Sequence, residues 1–177
     1  MLNGITLGIV MIFILLLGGF LLTLLINAFL IPLFRTPKEV LDEIIDMMEL
    51  SKKDHLVDLG SGDGRLLLKA YRNSMCKCTG YDISPIMLII AQTKMYLQFP
   101  FNKDILFKPE DIYSVDLKNF TKIYCYLDQE SMRILKDKFE KFVKNGGQIY
   151  SYRYNIGNMP KEEKVILKNE VPLYIYK

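Results

Sequence analysis

The chain has 177 residues, a formal net charge of +3, 50% hydrophobic residues, three cysteines and one histidine. That length supports one domain with one sizeable core, and its mixed charge forms no basic stripe, which argues against a nucleic-acid partner. A single histidine leaves almost no room for a Ser-His-Asp triad, and Cys76, Cys78 and Cys125, the first two spaced C-x-C, make neither a disulfide framework nor a zinc cluster, so no metal is expected.

Charge divides the chain. Residues 1–34 contain no Lys, Arg, Asp, Glu or His, and every charged side chain lies from Arg35 onward. Residues 5–26 form an uninterrupted run of 22 uncharged residues. As a helix this run reaches roughly 33 Å, enough to cross a bilayer core. A signal peptide would want a positive start, a shorter apolar stretch and a small-x-small cleavage site, and a core helix would keep a polar face. The expected organisation is therefore a membrane anchor and linker over residues 1–34, containing Pro32, and a globular domain over residues 35–177. Arg35, Lys38, Lys52 and Lys53 follow the span and no cation precedes it. Lys and Arg accumulate on the cytoplasmic side, so a single-pass topology with the N-terminus outside and the domain in the cytoplasm is expected. Free thiols agree with a reducing compartment.

The first element of the domain is a helix. Thr36 at the N-cap, Pro37 at N1 and Glu39 at N3 form a capping-box pattern, and Val40, Leu41, Ile44, Ile45 and Met48 form an apolar stripe. Strands are expected over 55–60, 76–83, 104–111, 120–128 and 148–156, with His55 a plain surface residue at the start of the first. Helices are expected over 64–72, from the Ser84 cap and Pro85 to 98, and over 129–145, the last stopped by Gly146 and Gly147. Residues 163–177 read as two closing antiparallel strands. Strands alternating with helices imply an α/β fold with a Rossmann-like, mostly parallel sheet, an antiparallel last strand and the transmembrane helix ahead of it. Ligands of such sheets bind beyond the carboxyl ends of the strands, where the strand order reverses.

The loop after the first strand is "VDLGSGDGR", residues 57–65. Gly60, Ser61 and Gly62 make a tight turn that brings backbone close to a ligand, and Gly64 lets the next helix pack against the sheet. The pattern D-x-G-x-G-x-G is neither the dinucleotide fingerprint G-x-G-x-x-G nor a P-loop. Asp58 and Asp63 would repel a phosphate. Asp82, with Ile83 beside it, ends the second strand 24 residues after Asp58, where a carboxylate can accept both hydroxyls of a free ribose. A nucleoside with a cationic tail meets these demands, and S-adenosylmethionine is such a molecule. Asp58 would then serve its amino end. Asp111, beyond the third strand, would reach the adenine amino group, with Ile112 beside the ring. Taken singly, Asp58 reads equally as a turn residue, and Glu110 could replace Asp111.

These motifs resemble the class I S-adenosylmethionine-dependent methyltransferases, whose first motif "VDLGSGDGR" and second motif "GYDIS" both match. Within that superfamily the chain resembles the protein-lysine methyltransferases typified by the ATP synthase c-subunit lysine methyltransferase and small archaeal relatives. "RTPKEVLDEII", "GYDISP", "EDIYSVDL", "KIYCYL" followed by "ESMRILKDKFEK", and "GGQIYSYRY" carry the likeness over residues 34–177. The resemblance implies that Thr36 and Pro37 fold over the cofactor, although Arg35 stands where those relatives tend to have a first proline. It also implies that the apolar helix ahead of the domain is a family feature.

The implied acceptor is a lysine of a protein, including one embedded in a membrane, which a tether would keep at high effective concentration. A lysine must lose its proton before it attacks, and a desolvating pocket favours that. Tyr126 and Asp128, near the end of the fourth strand, are the candidate catalytic residues of the acceptor pocket, with Tyr124 and Arg153 as further candidates. "YLDQ" there is not the N/D-P-P-Y/F of nucleobase methyltransferases. Methylation of a lipid or quinone head group and a non-catalytic cofactor-binding adaptor are the competing readings.

Overall fold

The computed structural model describes residues 4–30, 35–160 and 162–177. The chain divides into two compact units, Met1–Leu33 and Phe34–Lys177. The expected linker, with Pro32, lies outside the described residues.

The first unit is one helix, α1, Gly4–Leu30. Its window Thr6–Thr23 has a mean hydropathy of 2.5, and none of it is buried. The Thr23 hydroxyl donates to the Gly19 carbonyl one turn back at 2.8 Å, so this polar group is satisfied within the helix.

In the second unit, seven strands form one sheet: β1 His55–Leu59, β2 Lys77–Tyr81, β3 Ile105–Lys108, β4 Lys122–Cys125, β5 Gln148–Tyr152, β6 Glu162–Ile166 and β7 Pro172–Tyr176. Their order is β3-β2-β1-β4-β5-β7-β6. The first five run parallel, and β7 is antiparallel to both β5 and β6. The order reverses between β1 and β4, which is where such a sheet opens a ligand crevice.

The helices are α2 Leu41–Met47, α3 Arg65–Ser74, α4 Pro85–Gln98 and α5 Gln129–Lys144. One core packs Ile44, Leu67, Leu88 and Ala91 of α2, α3 and α4 against one face of the sheet. The other packs Met132, Leu135 and Phe139 of α5 against Val57, Ile123 and Ile149 on the opposite face. Local chemistry sets the helix ends. The Ser84 hydroxyl accepts from the Met87 amide with Pro85 in the first turn, as expected. α5 ends where the Gly147 amide closes on the Phe142 carbonyl at 3.0 Å.

Two expectations are corrected. The capping box at Thr36 does not form: Pro37 is the N-cap of a 3-10 turn, Lys38–Val40, that leads into α2, with no side-chain cap. Thr36 is buried and its hydroxyl bonds the Tyr124 hydroxyl instead, a long-range contact that outcompetes the local one. The apolar stripe of this segment is buried as expected. His55 is not a plain surface residue. Its ring is wedged between the Thr79 hydroxyl, at 2.9 Å, and the Asn119 carbonyl, at 3.1 Å, edge-on to Phe120. Burial pushes its pKa down.

Candidate active site

The loop between β1 and α3 is built against the end of β2. The Gly60 and Ser61 amides both donate to the Tyr81 carbonyl at 2.9 Å. Gly64 begins α3 in the left-handed region, φ +72°, and a Cβ there would lie 2.5 Å from the Phe107 ring. Only glycine meets both conditions.

A cavity opens at the order reversal, lined by this loop, by Arg35 and Thr36, and by Tyr124 and Tyr126 at and just beyond the end of β4. Asp58 lines it and is buried, 4% exposed. Among the described residues nothing hydrogen-bonds its carboxylate, and burial, with Asp82 and Asp63 nearby, pushes its pKa well up. The Ser61 hydroxyl, from the same lining, is buried without a partner among the described residues. A buried carboxylate and hydroxyl with no protein partner fit a ligand that brings its own donors, such as the ammonium end of S-adenosylmethionine.

Asp63 behaves differently. Arg65 reaches it at 2.7 Å and Lys94 at 2.8 Å. Burial alone would raise its pKa, but these two cations hold it well below the usual carboxylate range. Asp63 lines the cavity yet offers no free charge to repel a phosphate. Through these two ion pairs Asp63 ties α4 to the start of α3.

Asp82 is half-buried and accepts the Gly62 amide on Oδ2 and the Ser84 amide on Oδ1, each at 2.8 Å. Each carboxylate oxygen accepts more than one hydrogen bond, so capacity for a diol remains. The same carboxylate therefore shapes the glycine loop and is available to a ribose. Ile83 beside it is 76% exposed.

The entry segment is pinned over the cavity. The Thr36 and Tyr124 hydroxyls lie 2.5 Å apart, and an Arg65 guanidinium N–H reaches the Thr36 carbonyl at 3.4 Å. Pro37 follows, half-buried, outside the lining. Burial raises the Tyr124 pKa well above its ordinary value, so this phenol stays neutral. The Tyr126 ring packs edge-on to Tyr152 at 4.8 Å, and Arg153 hydrogen-bonds Tyr126. Arg153 adopts φ +74°, a left-handed conformation unusual for its residue type.

The cavity thus brings together Thr36, Asp58, Gly60, Ser61, Gly62, Asp63 and Tyr126 from the expected set. Gly64, Asp82 and Ile83 lie beside it, the first opening α3 and the second bonded to Gly62. Asp111 and Ile112 are not in its lining. The Asp111 carboxylate accepts the Tyr113 amide at 3.0 Å in a turn after β3, and Ile112 packs on the α5 side of the sheet. Asp128 is the N-cap of α5, accepting from the Ser131 amide at 2.8 Å and the Ser131 hydroxyl at 2.9 Å, and is likewise not in the lining. Arg65 and Leu66 line the cavity but read from sequence only as the start of a helix. The pair Asp63-x-Arg65 was the available signal for the first of them.

Comparison with known proteins agrees with this geometry. The model of the ANTKMT methyltransferase domain matches residues 58–163. A protein-lysine N-methyltransferase of Saccharolobus islandicus is 27% identical over 134 residues, covering 75% of this chain and 83% of that protein. The adenine nucleotide translocase lysine N-methyltransferase of Mus musculus is 25% identical over 99 residues, 56% of this chain and 43% of that protein. An RNA methyltransferase from Salinibacter ruber, solved with S-adenosyl-L-homocysteine, shares the fold with a TM-score of 0.72 at 23% identity, covering 80% of this chain and 92% of that one. The sheet is that of the class I methyltransferases, and the chain belongs to the ANTKMT methyltransferase domain family.

Proposed function

We propose that this methyltransferase moves a methyl group from S-adenosylmethionine to a lysine side chain of a protein, from a domain held at a membrane by α1. The observation that carries the reading is Asp58: a buried carboxylate without a hydrogen-bond partner among the described residues, sharing with an unpartnered Ser61 hydroxyl the lining of a cavity where the sheet order reverses. The relatives from Saccharolobus islandicus and Mus musculus, both protein-lysine N-methyltransferases, support the acceptor class.

S-adenosylmethionine supplies a sulfonium methyl, which a neutral amine takes as the sulfur leaves with the bonding pair as a neutral thioether. The chain's residues supply alignment, an effect worth up to about 7–11 kcal/mol where geometry is good. Asp58 and Ser61 hold the ammonium end, Asp82 the ribose, and the glycine loop brings backbone close between them. Tyr126, steadied by Tyr152 and Arg153, forms a wall of the acceptor pocket. Its aromatic face attracts an ammonium, and exclusion of water there eases loss of the lysine proton before attack. The proton released goes to solvent. Asp128, engaged as a helix cap, is a weaker candidate for this pocket than Tyr126. Asp111 and Ile112 would serve the adenine by movement of their turn.

A helix of 27 residues, apolar on every described side, supports the anchor. A core helix would be covered. Arg35 and Lys38 after it support a cytoplasmic domain and an outward N-terminus, with the domain beginning near residue 35.

The test is to incubate the full chain and a membrane fraction with methyl-tritiated S-adenosylmethionine, then separate protein from lipid. Acid-stable label in protein is expected. Label confined to lipid would replace lysine by a lipid or quinone head group. No label, with S-adenosylhomocysteine still bound, would leave a non-catalytic adaptor.

A further inference from the structure

α4 buries one face, and on its open face large apolar side chains stand around an exposed polar pair, Gln92 and Thr93. Met87, Leu88 and Ala91 point into the core. On the outward side Ile89 and Tyr96 are each 63% exposed and Leu97 is 74% exposed, at the i, i+7 and i+8 spacing of one helical face. Shortly beyond the helix Phe101 is 90% exposed at φ +65°. Isolated exposed apolar residues are ordinary, whereas a helical stripe of large ones marks a surface that meets something.

What adjoins the stripe is basic. An open groove is lined by Lys38, Arg65, Lys69, Arg72 and Lys94. Asp42 pairs with Lys69 at 2.7 Å, and Asp63 is shared by Arg65 and Lys94. Five cations against two paired carboxylates leave the groove positive. Lys38 and Arg72 have no carboxylate partner among the described residues. Arg72 instead bonds the Gln98 side chain at 2.5 Å and lies over the Phe99 ring. Lys94 and Gln98 of α4 lie on one side of Leu97, with Ile89 and Tyr96 on its other side, so the groove meets the stripe at Leu97.

We infer that this surface docks on an anionic phospholipid bilayer, with the α4 stripe entering the headgroup boundary and the groove cations meeting lipid phosphates. Apolar side chains beside a row of Lys and Arg are what such a boundary binds. Charge complementarity selects this occupant over a second copy of the chain, which would bring a like-charged groove against it. The inference rests on the anchor reading: four residues of sequence, 31–34, separate α1 from Arg35, so a spanning α1 keeps the domain at the headgroups. Docking through α4 would fix the orientation of the domain and present the β1–β4 crevice to acceptors at a set height.

The chain contains no tryptophan, so one introduced indole is a unique reporter. Leu97→Trp and, on α5 across the sheet, Ile134→Trp are placed in the full chain and incorporated into nanodiscs containing phosphatidylglycerol with brominated acyl chains. Both positions are exposed, so melting should match the parent chain, and Phe101→Trp provides a second reporter. The fluorescence of Leu97→Trp is expected to fall roughly twofold or more relative to bromine-free discs. Ile134→Trp should change little, and the Leu97→Trp quenching should weaken in phosphatidylcholine discs or in about 1 M salt. Equal quenching at both positions, or none at Leu97→Trp while the chain co-elutes with the discs, overturns the docking and leaves the anchor intact. So does shielding of Leu97→Trp from bromine with two chains per disc. A chain that elutes apart from the discs overturns both.

Discussion

Replacing Asp82 by alanine removes two hydrogen bonds at once, because Oδ2 holds the Gly62 amide and Oδ1 the Ser84 amide, each at 2.8 Å. A hydrogen bond to a charged acceptor contributes about 1.5–3 kcal/mol, so a fully buried pair would contribute about 3–6. Asp82 is only half-buried, and water recovers part of this when the carboxylate is lost. The expected loss of stability without ligand is therefore about 2–3 kcal/mol, a drop in Tm of roughly 5–15 °C. Binding loses more, because the ribose contacts disappear and the loop that Asp82 shapes is released. Two charge-assisted contacts of at least about 1.5 kcal/mol each predict a Kd for S-adenosylhomocysteine weakened at least about 100-fold. Asp82→Asn does not rescue this. Its amide nitrogen must face one of the two backbone N–H groups, donor against donor. Isothermal titration with S-adenosylhomocysteine, alongside thermal melts, reads both effects. If Asp82→Ala binds within about threefold of the parent chain, the ribose assignment is wrong.

Neighbouring carboxylates of the same loop are expected to respond to pH with opposite signs. Burial raises the Asp58 pKa in the folded state, so ionising it opposes folding at pH above the unfolded value of about 3.9. Asp58→Asn should therefore stabilise the ligand-free chain at neutral pH, with the gain vanishing below about pH 4, while weakening S-adenosylmethionine binding; urea denaturation at both pH values checks this. Asp63, whose folded pKa is depressed, contributes stability that is present above about pH 3.9 and lost as pH falls below it, so Asp63→Asn should flatten the acid limb of the stability curve. Gly64→Ala should cost about 2–5 kcal/mol, combining the left-handed backbone penalty with overpacking of Phe107, and Phe107→Leu in the same chain should return the packing part. Tyr126→Phe keeps the ring but loses the hydroxyl that Arg153 holds, and should lower kcat about tenfold with S-adenosylhomocysteine affinity unchanged.

The strand–loop–helix unit around Asp58 is legible in sequence because local rules agree there: a short apolar strand, glycines at strained positions, and a carboxylate 24 residues on at the end of the next strand. The closing antiparallel pair and the Ser84 cap are legible for the same reason. The misread parts depend on partners far away in sequence. Thr36 looks like an N-cap until Tyr124, 88 positions on, captures its hydroxyl. Asp63 looks like a free charge until Lys94 arrives from α4. His55 looks exposed until Thr79 and Asn119 close over it. Asp128 is a different case. With Ser131 three residues on, its capping role was readable locally, and its place after β4 drew attention to catalysis instead.

Acid hydrolysis of the labelled membrane protein, followed by amino-acid analysis, tests lysine methylation most directly. The account predicts that tritium co-migrates with methylated lysine and that Asp82→Ala abolishes the signal. Tritium in any other amino acid, or labelling that survives Asp82→Ala undiminished, would contradict it.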